Sequence, residues 1–314
     1  MGAAILIGAR LLQFSGALIL FGAPAFYLYG CDRAADQGLT QSRRAWQWRI
    51  VLSAAVVGLV GTLIWVMGET ASVSGVPSDA INPAALWTVL WDTRFGRACL
   101  ARIALLMLSV IASLGIGSRR VLGFTQTILG ASVTASFAWS GHGAMGSGAS
   151  GAAHLVADLL HMLAAGLWIG ALLPLAVLVL RAIRSNALDD SRAVKIGLER
   201  VSAIGFPMVA VLVFSGLING GFLIGLSRWR ALYTTAYGIA LIAKLSLFGV
   251  MLGLAALNRY RMTPALGNAL DTQRPTQPWL RALGNTVWTE TALALLVLLT
   301  VSVLGTLVPP ISEE

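Results

Sequence analysis

Eight long apolar runs constrain this chain of 314 residues more than any other feature. An α-helix needs about 20 apolar residues to cross the hydrocarbon core of a bilayer. The runs lie at about 3–29, 50–70, 96–116, 121–140, 152–180, 202–226, 231–256 and 286–308. The sequence therefore predicts an all-α integral membrane protein, a polytopic bundle of about eight transmembrane helices.

The composition supports this class of protein. Charged residues make up 11% of the chain and hydrophobic residues 57%, whereas a soluble domain carries about 25% charged residues. The segments between the runs are too short to hold a core of their own, so we predict one transmembrane domain over residues 1–314 and no soluble domain. The sequence has no Walker loop and no dinucleotide fingerprint, and we expect a protein that is not an enzyme.

Positive charge is divided unevenly between the two sets of loops. The loops after the first, third, fifth and seventh runs hold fifteen Lys and Arg residues, and the opposite loops hold four. Because cytoplasmic loops carry the excess of Lys and Arg, both termini are predicted to face outside. The net charge of +9 is explained in the same way, so nucleic-acid binding is not expected.

Two of the loops carry further expectations. The outer loop 71–95 is polar, and its Trp87 and Trp91 are predicted to lie at the membrane interface. The inner loop 181–201 mixes charges of both signs and is predicted to form a short surface helix.

All three histidines of the chain lie within twenty positions: His142, His154 and His161. Asp158 stands between the last two, at the i, i+4, i+7 spacing that returns side chains to one face of a helix. Ionisable residues inside an apolar span are costly, so this cluster indicates a functional site. The topology puts His154 at the outer rim and His161 about two turns deeper, with His142 over the same mouth on the glycine-rich loop 141–151.

The residue types of this cluster suit a metal ion. Imidazole binds copper, zinc, iron and nickel, and a nearby thioether such as Met145 or Met162 favours copper. His154 and His161 are about 10 Å apart along the helix axis. Either one ion uses some of these side chains with a ligand from another element, or the three form successive sites. A proton relay, simple charge pairing within the bundle and an outer-side haem are the alternatives.

Other polar residues also fall inside the apolar runs. They are Arg10, Gln13, Arg102, Lys244 and Glu290. Pairing between helices is the expected explanation, because an unpaired charge is costly in a membrane. The alternative is a polar pathway that leads inward from Asp158.

Four stretches of the sequence resemble a known family. They are HLVADLLHMLAAGLWIGALLPL at 154–175, WDTRFGRACLARI at 91–103, SGHGA at 140–144 and AKLSLFGVMLGLAALNRYRMTPAL at 243–266. The first contains D-x-L-H-x-L-A-A-x-x-W-x-G, the core pattern of the copper resistance protein D family (CopD/PcoD). The chain is similar to this family of bacterial inner-membrane copper proteins over most of its length.

The resemblance implies copper transport across the inner membrane, usually uptake from the periplasm to the cytoplasm. It implies that His142, His154, Asp158 and His161 are copper residues, with the termini in the periplasm. Histidine and carboxylate suit Cu(II), whereas Met145 leaves Cu(I) open. Haem is the less favoured cofactor.

The resemblance also bears on partners. Members of the family often work with a periplasmic copper-binding protein of the CopC type, which here is either a separate chain or unnecessary. Membrane lipid is the other expected partner. Two further functions stay open: a haem-binding electron-transfer protein of the membrane, and a scaffold that delivers copper without transporting it.

Overall fold

A computed structural model describes residues 2–30, 41–114, 119–140, 148–225 and 228–312. The α-helices in these ranges are α1 (Ala3–Tyr29), α2 (Gln41–Ser74), α3 (Pro83–Asp92), α4 (Arg94–Leu114), α5 (Arg119–Ala135), α6 (Gly148–Ser185), α7 (Leu188–Leu223), α8 (Ala236–Leu257), α9 (Thr263–Asp271) and α10 (Gln277–Leu304). Short 3-10 helices lie at Pro77–Ala80, Ser136–Ser140 and Pro310–Ser312, one helical turn at Ala231–Thr234, and a π-helical turn at Asn258–Met262.

Eight helical segments of the described ranges are long and apolar enough to cross a membrane. The seventh, Ala236–Asp271, joins α8, the π-helical turn and α9 into one span. The predicted all-α bundle of about eight transmembrane helices is confirmed.

The helices α6 and α7 extend well beyond the runs that predicted them. They contain 38 and 36 residues, or roughly 55 Å each, against a hydrocarbon core of about 30 Å. The separate short helix predicted for the inner loop 181–201 is therefore wrong. The charged residues of that segment continue the two spanning helices, because Arg, Lys, Glu and Ala are good helix formers outside the bilayer as well.

A link of only two residues joins α6 to α7. Asn186 takes a φ of 52°, a left-handed conformation that asparagine tolerates better than most residues. Its Oδ1 accepts a hydrogen bond of 2.8 Å from Gln277 Nε2 on α10. The same amide donates to the carbonyl of Ile183 at 3.2 Å, so α10 holds the turn between the two long helices.

The outer loop 71–95 is more regular than the sequence predicted. A 3-10 helix and α3 fill most of it, and the Asn82 side chain caps α3 by accepting from the Ala84 amide at 3.1 Å. Trp87 and Trp91 pack with ring centroids 5.4 Å apart and are 65% and 49% exposed. Their place at the membrane interface stays a prediction.

Glycines allow α1 to pack closely against its neighbours. A Cβ added at Gly22 would overlap the backbone of Gly166 and Gly170 on α6. A Cβ added at Gly16 would lie 2.5 Å from the amide nitrogen of Gly58 on α2. Helices in lipid use such small residues to bring their backbones together, and α1 consequently packs against both α2 and α6.

The contacts of α1 define two ends of the bundle. The Arg10 guanidinium lies against Gly305, so the start of α1 and the end of α10 are together at what we call the outer end. Arg200 Nη1 donates to the Tyr29 carbonyl at 3.0 Å at the opposite, inner end. That the outer end faces the periplasm stays a prediction.

Candidate metal site

Three side chains near the outer end of α6 meet three side chains of α7. The pairs, which we call the three-pair face, are His154 with Phe222, Asp158 with Asn219, and His161 with Ser215. Both sets follow the i, i+4, i+7 spacing of one helix face, and α7 runs antiparallel to α6. The sequence predicted that the two histidines and Asp158 share one face of their helix. In the structure, that face packs against a matching set of side chains on α7.

His154 forms the outermost pair. Its imidazole stacks on the Phe222 ring with centroids 4.6 Å apart and an angle of 6° between the planes. The residue is 8% exposed. Flat stacking fixes the ring plane and covers one face, so the ring is oriented before any ligand binds.

Asp158 forms the middle pair. Asn219 Nδ2 donates to Asp158 Oδ1 over 3.5 Å, at the long limit of a hydrogen bond and therefore weak. The side chain is half-buried. A carboxylate held this loosely in an apolar bundle attracts any cation that can reach it.

His161 forms the deepest pair, and its hydrogen bond defines which nitrogen is available. Its Nδ1 lies 3.0 Å from Ser215 Oγ. Ser215 Oγ donates its one proton to the Val211 carbonyl at 2.5 Å. Because the serine hydroxyl is directed at this carbonyl, we assign the proton of the His161–Ser215 contact to Nδ1, and the lone pair of the imidazole is then on Nε2. An orientation of this kind prepares a histidine to bind a metal through its other nitrogen.

Two residues of α8 complete the surroundings of Asp158. Tyr237 and Lys244 both lie within electrostatic range of the Asp158 carboxylate, and Lys244 also acts on His161. The ring of Phe248, one turn beyond Lys244, packs on Trp168 of α6 with centroids 5.7 Å apart. Because helical side chains point toward the helix N-terminus, the ammonium of Lys244 is directed from that contact toward the outer end.

The predicted site residues do not all come together within the described part of the chain. His142 and Met145 fall outside the described residues and stay predictions. Met162 packs against the core cluster that contains Phe14 and Leu18 of α1. Among the described residues no three His, Cys, Asp or Glu side chains group closely enough to hold one ion. With His154 and His161 still about 10 Å apart, successive sites fit this geometry better than a single one.

Sequence reasoning missed Ser215, Phe222 and Tyr237 as neighbours of the histidines. A search for ionisable residues does not find a serine or a phenylalanine. The usable signal was spacing, because Ser215, Asn219 and Phe222 repeat on α7 the intervals of four and three residues that separate His154, Asp158 and His161 on α6.

Three of the other polar residues in the apolar runs, Gln13, Arg102 and Glu290, pair between helices, as predicted for them. Arg102 is fully buried; its Nη1 donates to Gln13 Oε1 at 3.1 Å, its Nε to Ser136 Oγ at 2.8 Å and its Nη2 to Ser140 Oγ at 2.8 Å. Glu290 accepts from Asn258 Nδ2 at 2.6 Å.

These features define a class: a multi-pass α-helical membrane protein with a partly buried histidine–carboxylate face near one end. The chain belongs to the copper resistance protein D family. Residues 1–152 match the N-terminal domain described as copper resistance protein D-like, and residues 197–304 match the domain described as copper resistance protein D. The three-pair residues of α6 lie between the two matched segments.

Three relatives support the assignment along the whole chain. The protein named copper resistance protein D of Pseudomonas syringae pv. tomato is 30% identical, over 96% of each chain. Inner membrane protein YebZ of Escherichia coli is 26% identical over 96% of this chain and 98% of its own. Copper transport protein CutJ of Bacillus subtilis is 26% identical over 96% of this chain, which spans only 52% of that relative. No solved structure matches the chain.

Proposed function

We propose that the chain transports copper ions across a bacterial inner membrane, from the periplasm to the cytoplasm, and catalyses no chemical reaction. Copper enters along the three-pair face of α6 and α7. The observation that carries the proposal is the contact of His161 Nδ1 with Ser215 Oγ, whose own proton is directed at Val211. The tautomer assigned from this contact has its lone pair on Nε2, on a residue one helical turn from Asp158.

The spread of donors along α6 suits transport better than storage. His154, Asp158 and His161 occupy successive turns of the helix, so an ion at any one of them has few ligands. A conducting path needs sites that are favourable enough to enter and weak enough to leave. Imidazole and carboxylate donors favour Cu(II), and the predicted contact with Met145 leaves Cu(I) as the second candidate.

Lys244 explains how the face is stabilised without an ion. Its ammonium lies within electrostatic range of Asp158 and His161. The positive charge offsets the carboxylate when no metal is bound, and a copper ion arriving at Asp158 replaces this interaction with its own charge. Competition of this kind weakens binding and favours onward movement.

The direction of transport follows from sidedness and family resemblance. The excess of Lys and Arg in the loops of the inner end favours a cytoplasmic location for that end, and the three-pair face is then on the periplasmic side. The relative CutJ is named a copper transport protein. A separate periplasmic copper-binding protein of the CopC type is the proposed donor of copper to this face.

Copper flux into proteoliposomes tests transport directly. Purified protein should admit copper in a metal-resolved assay, run with and without a reductant to assign the oxidation state. His161→Ala should abolish the flux, whereas Gly216→Ala should not, because a Cβ there would lie at an ordinary 3.5 Å from His161 Cε1. A protein that binds copper but passes none is a delivery scaffold, and the transport proposal is then wrong.

Copper binding tests the site separately. His161→Ala should abolish stoichiometric copper binding by the purified protein, and unchanged binding would contradict the site assignment. A visible spectrum addresses the haem alternative, since a Soret band in the purified protein would favour electron transfer. His154 and His161 are on one helix, whereas a haem with two histidine ligands usually lies between facing helices.

A further inference from the structure

One stripe of α8 and the π-helical turn after it faces the bundle from the outer end to the inner end. Its members are Tyr237, Lys244 and Met251 of α8 and Asn258 of the turn, each seven residues from the next. Seven residues make two helical turns, so these side chains share a face at intervals of about 10 Å. Tyr237, Met251 and Asn258 are buried, while much of the rest of α8 is exposed.

The inner end of the stripe meets a buried acid. Asn258 Nδ2 donates to Glu290 Oε1 of α10 at 2.6 Å, and Thr286 Oγ1 donates to Asn258 Oδ1 at 2.6 Å. The two bonds together fix the amide so that its N–H faces the carboxyl group. Glu290 is 3% exposed. Asn258 also begins the π-helical turn Asn258–Met262, a distortion that often marks functional positions.

Ionisable groups are sparse on the helices packed around Glu290. On α6 the sequence has none between His161 and Arg181, and on α1 none between Arg10 and Tyr27. Arg10 lies against Gly305 at the outer end. Lys244 is fourteen residues from Asn258 on the stripe, or roughly 21 Å.

The inner end supplies the remaining charged groups. Arg259 is exposed and donates to the Ser202 carbonyl at 2.7 Å. Glu199 lines a cavity at the inner end, and Arg281 and Asp271 are exposed. The hydrogen bond that Glu290 accepts within the described part of the chain thus comes from a neutral amide. A buried carboxyl group with a neutral partner avoids the cost of a buried charge by holding a proton.

A cavity lies at the inner end beside the π-helical turn that Asn258 begins. It has a volume of about 210 Å³ and is lined by Glu199, Ser202, Ala203, Arg259 and Thr263. The Thr263 amide donates to the Asn258 carbonyl, so one turn of backbone carries both a residue of the cavity wall and the hydrogen-bond donor of Glu290. Thr263 is 5% exposed, and its Oγ1 has no hydrogen-bond partner among the described residues. Buried hydroxyl groups usually form a hydrogen bond, so water in the cavity is the expected partner of this one.

We propose that Glu290 is a proton-binding site that exchanges with the solution at the inner end through the Thr263 cavity. The proton moves between the Glu290 carboxyl group and water in the cavity, and no other bond changes. Loss of this proton provides the negative charge that lets copper enter the inner half of the bundle. This last step rests on the proposed transport function, whereas proton binding does not.

Infrared difference spectra between acid and alkaline pH test proton binding without copper. The carbonyl-stretch band of a buried protonated carboxyl group should be present in the wild type, absent in Glu290→Gln and retained in the matched control Asp271→Asn. A spectrum of Glu290→Gln that keeps this band overturns the proposal. Asn258→Ala retains Glu290 but removes its hydrogen-bond donor. The carboxyl band of this variant should therefore appear and disappear at a pH midpoint different from that of the wild type. If the midpoint of Asn258→Ala equals that of the wild type, the proposed site is also contradicted. This second variant keeps the proposal testable if Glu290→Gln does not fold.

Copper flux tests the consequence for transport. With the pH varied only on the side of the inner end, wild-type flux should fall on acidification by up to about tenfold per pH unit, the limit for one proton. Glu290→Gln flux should not respond to this pH, and Asp271→Asn should behave as the wild type. A wild-type response in Glu290→Gln overturns the coupling of flux to Glu290. Absence of copper flux in the wild type instead refutes the proposed function and the coupling that depends on it, while the infrared result stands by itself.

Discussion

Ser215 Oγ lies 3.0 Å from His161 Nδ1 and donates its own proton to the Val211 carbonyl. The bond runs from one long helix to the next, so packing of α6 on α7 sets the chemistry of the imidazole. Ser215→Ala should weaken copper binding by about 10–100-fold, the usual effect of removing a group that orients a metal-bound histidine. Competition titration of the purified protein measures the change. Ser215→Thr keeps the hydroxyl and should bind nearly as the wild type; equal affinity in Ser215→Ala would contradict the role of the serine.

Asp158 and Lys244 are expected to be energetically coupled. Asp158→Asn leaves the ammonium of Lys244 without its nearby carboxylate and should lower the midpoint of thermal unfolding in detergent. Lys244→Met should remove that penalty in the double variant, with a coupling free energy of about 0.5–3 kcal/mol. Additive effects of the two substitutions would show that the residues do not interact. Lys244→Met alone should bind copper more tightly, because the competing cation is gone.

Because α1 and α6 cross closely at Gly22, a larger residue at this position should lower the thermal stability of the protein. A methyl group there would overlap the backbone of Gly166 and Gly170, and overpacking of this kind costs about 1–3 kcal/mol. Gly22→Ala should therefore lower the thermal midpoint by several degrees. Gly249→Ala is the matched control, since a Cβ on that residue of α8 meets nothing within 4 Å. Equal midpoints for the two variants would argue against the crossing.

Arg102 should not tolerate lysine. Its guanidinium donates to Gln13, Ser136 and Ser140 and lies 3.9 Å from the centroid of the Phe137 ring. An ammonium cannot reproduce this planar arrangement, and each buried acceptor left unpaired costs roughly 1–3 kcal/mol. Arg102→Lys should lower the thermal midpoint, while Arg97→Lys, at an exposed position of the same helix, should leave it unchanged. A stable Arg102→Lys would mean that the positive charge alone is sufficient.

Membrane sidedness is testable with single cysteines. Ser78 and Gln273 are exposed residues of the outer and inner connections. With Cys31 and Cys99 replaced, Ser78→Cys should react with an impermeant maleimide added to the periplasmic side, and Gln273→Cys should react only after the membrane is opened. The reverse labelling pattern would overturn the predicted orientation of the termini.

Hydrophobic length predicted the spanning helices well and their ends poorly. Crossing a bilayer requires about 20 apolar residues, a condition that the sequence displays directly. The continuation of α6 to Ser185 and the start of α7 at Leu188 depend on helix propensity and on the contacts of Asn186 with Gln277. Neither leaves an apolar signal, and the mixed charges of 181–201 suggested a separate helix.

The candidate site was half visible in the sequence. Helical periodicity placed His154, Asp158 and His161 on one face, because that depends on spacing alone. Which helix covers that face depends on packing between distant segments. The partners on α7 are therefore known only from the fold, and so is the orientation that Ser215 imposes on His161. The pairing of Glu290 with Asn258 likewise occurs at the π-helical turn, and no pattern in the sequence predicted that turn.

The two-residue link between α6 and α7 also restricts how this sequence can change. One inserted residue would rotate everything beyond it by about 100° and displace it by about 1.5 Å. His161 would then lose Ser215, and Asp158 would lose Asn219, although the insertion lay some 25 residues from either pair. Length variation among related proteins should therefore be absent at Asn186 and Ala187 and tolerated in the longer connections, where no helical phase has to be preserved.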